Sequence, residues 1–177
     1  MSASKSQDKV LEERLRRIFE NQLALLIERG APPAVIIYLQ SKWQEVMIRA
    51  VGFANFSDSL IFLPIIPLIF VGLPVLVSFI RNNANPGVTF LNPYKVWDTE
   101  MTPSMPYYIF GVDSGKKFLK QPLEEAVRLI VRRQRYQLTV TEAISLAVHT
   151  DTLSVYDLAA LGSRCWKGHA FPGLCHS

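Results

Sequence analysis

Between Asp8 and Arg29 the apolar residues Leu11, Leu15, Ile18, Phe19, Leu25 and Leu26 recur at helical spacing, with charged residues on the opposite side. That pattern predicts an amphipathic helix. "RGAPP" ends it, because Gly30 suits the position just past a helix and Pro32 and Pro33 cannot continue the hydrogen-bond ladder. The prolines can open a second helix running to about Ala50, giving an α-hairpin. Its charges are mixed rather than basic, which favours packing on the protein's own core over a membrane or a partner helix. The expected organisation is a helical arm over 1–50 and an α+β core domain over 51–177, forming one folding unit.

The run "LIFLPIIPLIFVGLPVLVSFI", Leu60 to Ile80, contains no charge. As one helix it would reach about 31 Å, enough for a bilayer core. Against a span stand Pro64, Pro67 and Pro74, each costing a helix interior roughly 3 kcal/mol. The flanking basic residues Lys42, Arg49 and Arg81 show no sidedness. "LIFL", "LIFV" and "VLVSFI" therefore read as short buried extended segments punctuated by prolines. The Pro64–Pro67 spacing also fits a polyproline-type ligand, but such ligands must be exposed and these neighbours are aliphatic.

Residues 82–106 are rich in Asn, Pro, Gly and Thr and predict turns with short extended pieces. "YYIFGVDSG", 107–115, predicts a strand closing on a turn. In "QPLEEAVRLIVRRQRY", Pro122 marks a helix start, with glutamates in the first turn and arginines in the last to suit the dipole. Thr139 and Glu142 have capping-box spacing and predict a helix from about Val140 to His149. The fold class expected is α+β: a helical hairpin, proline-punctuated extended segments with a small sheet, and two further helices.

The 177 residues suffice for one ordinary domain, and the 49% hydrophobic content excludes disorder over most of the length. Lys116, Lys117, Lys120, Arg128, Arg132, Arg133 and Arg135 face only Glu124 and Glu125 in the same stretch, a local +5 against a whole-chain +4. Such a patch is an electrostatic footprint for nucleic acid or anionic lipid. No nucleic-acid motif accompanies it, so a solvated helix face is the expectation and nucleic acid is not a favoured partner. Cys165 and Cys175 do not make a disulfide framework. The N-terminal stretch has no apolar signal core, so the expected location is cytoplasmic, with reduced thiols.

The pieces "LPIIPL", "VSFIRN", "TFLNP", "MPYYIFGVDSG", "LTVTEAISLAVHTDTLS" and "LGSR" occur in order between residues 60 and 164. As a set they resemble a bacterial family of uncharacterised proteins, a domain-of-unknown-function family. The resemblance implies a soluble bacterial α+β protein and brings no activity, substrate or cofactor. After "LGSR" the chain reads "CWKGHAFPGLCHS", where similar proteins are expected to continue through a "VP" segment, and the expectation is a tail divergent or truncated relative to them.

Candidate chemistry gathers in "VHTD" and "GSR". His149 with Asp151 two residues on has the elements of a general base, Ser163 after Gly162 those of a nucleophile, and Arg164 those of an anion clamp. No nucleophile-elbow pattern is present, and a histidine at a helix end is also an ordinary cap. Asp113 in "GVDSG" could bind a cation or ligand or orient that histidine, beside its commoner role as a turn former. Cys165, His169, Cys175 and His176 do not have structural zinc spacing, so no metal and no cofactor is implied. The resulting expectation is a non-enzymatic domain that binds a ligand or partner. The alternatives are a hydrolase using His149, Asp151 and Ser163, and a membrane-associated protein anchored through residues 60–80.

Overall fold

A computed structural model describes residues 2–55, 59–82, 85–165 and 170–175. In chain order the elements are α1 (Ser2–Glu28), α2 (Pro33–Ser41), α3 (Trp43–Ala50), β1 (Ser59–Ile65), α4 (Leu73–Ser78), β2 (Arg81–Asn82), β3 (Asn85–Pro86) and β4 (Val96–Asp98). They continue with β5 (Tyr107–Asp113), α5 (Leu123–Arg132), α6 (Val140–His149), β6 (Leu158–Ala159), β7 (Ser163–Cys165) and β8 (Gly173–Leu174). The class is α+β, with helices and antiparallel strand pairs β1–β5, β2–β3, β4–β7 and β6–β8. The chain divides into two compact units, Met1–Ile65 with Pro106–Asp113, and Ile66–Met105 with Ser114–Ser177.

In the first unit, α1 buries Leu15, Phe19, Leu23 and Leu26 along one face, the i, i+4 and i+3 steps that the apolar periodicity predicts. Gln22 is buried on the same face, and its Nε2 donates to the Phe62 carbonyl at 2.9 Å, tying helix to strand. The expected second helix is two, α2 and α3, broken at Lys42 with φ −85° and ψ 1°. The break sets Trp43 edge-on to Phe19 at 5.0 Å, with the Arg16 guanidinium 4.8 Å above the Trp43 ring.

The strand β1 pairs antiparallel with β5 in the register Leu60↔Val112, Phe62↔Phe110 and Pro64↔Tyr108. Proline lacks an N–H, and a strand that pairs along one edge tolerates it. Residues 61–66 are all buried. Phe19, Phe62, Tyr108 and Phe110 form an aromatic core, with Phe19 and Tyr108 stacked at 5.7 Å and Tyr108 edge-on to Phe62 at 6.0 Å. Gly111 has φ +59°, and a Cβ there would lie 2.5 Å from the Phe53 ring, so both backbone and packing require glycine.

The uncharged run is neither one helix nor three extended segments. "LIFL" lies in β1 as expected. "LIFV" is a turn in which the Phe70 N–H donates to the Pro67 carbonyl, leaving Ile69 and Phe70 exposed. "VLVSFI" corrects the extended reading: its first four residues belong to the helix α4, with Gly72 as N-cap and Pro74 in the first turn. There proline's missing N–H has no intrahelical acceptor to lose, and its fixed φ suits the helix. Among the described residues no helix is long and apolar enough to cross a membrane.

Candidate functional site

The site is assembled in the second unit around the start of α6. Thr139 and Glu142 form the expected capping box, the Thr139 N–H donating to Glu142 Oε2 at 2.8 Å. The next N–H, that of Val140, donates to Ser163 Oγ at 2.8 Å. These backbone groups, which could otherwise attract an anion, are taken by protein acceptors.

The two strands β4 and β7 bring Ser163 opposite Asp98. The buried Ser163 hydroxyl donates to Asp98 Oδ1 at 2.5 Å while accepting from Val140. Gly162 locks the approach: its N–H donates to the Leu138 carbonyl at 2.8 Å, and its carbonyl accepts from the Thr99 N–H at 2.8 Å and the Thr99 hydroxyl at 3.0 Å. A Cβ on Gly162 would lie 2.5 Å from the Gln137 carbonyl oxygen. Glycine is thus required here by backbone contact.

Although Asp98 is exposed as a residue, its carboxylate faces this buried hydroxyl. Desolvation raises its pKa above the ordinary 3.8, and the Ser163 hydrogen bond opposes the rise. A carboxyl raised in the folded state contributes stability that is fully present below pH 3.8 and is lost as pH rises through the folded pKa. Asp98→Asn removes that titration and keeps an acceptor for Ser163. Urea melts across this acid range should show the variant gaining stability relative to the parent as pH rises, and a constant difference would refute the assignment.

His149 ends α6. Its Nδ1 lies 2.9 Å from the Ser145 carbonyl, which can only accept, so Nδ1 carries the proton. Asp151 is exposed, and its backbone carbonyl accepts from the Ser154 N–H and hydroxyl, holding the turn that follows. No hydrogen bond or ion pair joins His149 to Asp151 or Ser163 among the described residues. Arg164 donates through one terminal nitrogen to the Leu161 and Ser163 carbonyls, and its guanidinium lies 4.1 Å from the Phe171 ring centroid. Asp113 closes β5 opposite Ser59, in the first unit.

Of the tail ligands, Cys165 is buried with Sγ 3.5 Å from the Ala170 carbonyl and Cys175 is exposed, both as free thiols. His169 and His176 lie outside the described residues. Among the described residues no group of three or more His, Cys, Asp or Glu side chains could hold a metal ion. The partner missed from sequence is Asp98, in "VWDTE". Its only local signal is a carboxylate at the end of a short extended piece, and its role depends on a residue 65 positions away. Comparison with protein-family models, curated proteins and solved structures finds no match for the chain.

Proposed function

We infer that the chain is a non-enzymatic binding domain of a bacterial cytoplasmic protein, taking a macromolecular partner or a small ligand. The observation that carries this reading is that the side chains best suited to chemistry are committed to holding the fold. A serine nucleophile needs its hydroxyl proton on a base and an oxygen lone pair directed at substrate. Ser163 does direct its proton to a carboxylate, Asp98, but it is fully buried and its oxygen accepts from the first turn of α6, so it faces no substrate. Arg164 is directed at backbone carbonyls rather than at an open anion position. The free thiols of Cys165 and Cys175 suit a reducing compartment, and the family resemblance supplies the bacterial expectation.

Ester, phosphoester and amide reporters test this reading directly. No hydrolysis above buffer is expected. Turnover that disappears in His149→Gln, with the melting midpoint unchanged, would overturn it in favour of a hydrolase.

A further inference from the structure

The surface from Lys116 to Tyr136 is at once basic and apolar. Of the residues in α5 only Ala126 is buried, and Val127, Leu129 and Ile130 are half-buried. Leu123, Val127 and Val131 follow at intervals of four and form one stripe. Leu123 and Val131 are 46% and 58% exposed, and Leu119 and Tyr136 on the flanking segments are 51% and 86% exposed. Glu124 lies beside the stripe and Arg128 and Arg132 follow further round the helix, with Arg128 3.8 Å from Glu125, so the arginines and lysines outnumber the two glutamates on this surface. Lys116, Lys117, Lys120, Arg133 and Arg135 extend the charge beyond both ends of the helix, and all these basic residues are exposed.

Complementing the helix dipole accounts for Arg132 and Arg133 at the C-terminal end. It does not account for the lysines before the helix, or for aliphatic side chains left in water among them. We propose that this face docks on a bilayer surface carrying anionic lipid headgroups, with Leu119, Leu123 and Val131 entering the headgroup boundary and the lysines and arginines meeting the lipid charges. The inference rests on the binding-domain reading above and names its partner. Charge complementarity requires an anionic occupant. Tyr136 and the arginines are planes on which bases also stack, but a nucleic acid would leave the aliphatic Leu119, Leu123 and Val131 in water, and that stripe selects lipid.

The test is co-sedimentation of the full chain with phosphatidylcholine vesicles, with and without phosphatidylserine, at low and high salt. Binding is expected only to the phosphatidylserine vesicles, weakening as salt rises. Arg132→Glu with Arg133→Glu should lower it by at least about thirtyfold, while the paired lysine substitutions keep most of it. Leu123→Ser with Val131→Ser should weaken binding at unchanged charge. Thermal melts of each variant show whether the fold survives, and the salt series on the parent needs no variant. Absence of binding to phosphatidylserine vesicles at low salt, binding indifferent to charge reversal, or tighter binding to duplex nucleic acid that ignores the Leu123 and Val131 changes would overturn the proposal. Failure here without hydrolytic turnover leaves the binding-domain reading standing. Turnover lost in His149→Gln removes that reading itself.

Discussion

Ser163→Ala should destabilise the protein by about 2–4 kcal/mol, because it leaves the buried Val140 N–H without its acceptor and Asp98 without its donor. The side chain lost is small and the cavity slight, so the effect is almost wholly one of unmet hydrogen bonds. Asp98→Asn is the control, since the amide oxygen still accepts from Ser163 and the desolvated charge disappears. It should fall within about 1 kcal/mol of the parent at neutral pH. Denaturant melts of the two variants separate a structural serine from a catalytic one. A nucleophile is commonly removed with little loss of stability, so an unchanged Ser163→Ala midpoint would count against the assigned role.

What could be read in the sequence divides by the range of the interaction that decides it. The capping box at Thr139 and Glu142 is complete within four residues, and α6 spans Val140–His149 as that spacing predicts. The helix α1 follows from its periodicity, and β5 from its β-branched and aromatic run with a glycine turn after it. The uncharged run was legible only in part. A proline fits both the edge of a strand and the first turn of a helix, and an apolar stretch of six residues has no period to separate them. Pro64 took the first role and Pro74 the second. Lys42 gives no local sign of a break, since what it serves is the placing of Trp43 against Phe19.

The candidate site was legible as residue types but not as an arrangement. In "LGSR" the serine suggests chemistry, whereas Gly162 is there to admit the 137–138 backbone at close range and Ser163 to bind across to β4. Arg164 similarly answers to Phe171 and to carbonyls within three residues of it. A polar side chain read alone suggests chemistry. Its hydrogen-bond partners decide whether that chemistry is open to a ligand, and here they are supplied by the fold. Charge alone makes the basic stretch between Lys116 and Arg135 a solvated face. The exposed Leu123 and Val131 beside it give that face an apolar component that charge counting does not contain.

Phe62→Ala should have the largest effect of any single change considered, a loss of about 3–5 kcal/mol measured by chemical denaturation. Phe62 is fully buried, lies opposite Phe110 in the β1–β5 pair, and has ring contacts with Phe19, Tyr108 and Phe110 at 6.5, 6.0 and 6.4 Å. Removing the ring opens a cavity whose lining residues come from α1 and both strands, so no single side chain can move to fill it. Phe62→Leu keeps most of the volume and should lose roughly half as much or less. Tyr108→Phe, one strand away, should act in the opposite sense. Its hydroxyl is buried with no hydrogen-bond partner among the described residues, and burial raises its pKa, as expected for a phenol removed from water. Deleting that oxygen leaves the stacking on Phe19 intact and should stabilise the protein by about 1 kcal/mol. A destabilised Tyr108→Phe would show that an ordered water satisfies the hydroxyl, whereas a Phe62→Ala loss below about 2 kcal/mol would show that α1 is not fixed against the sheet.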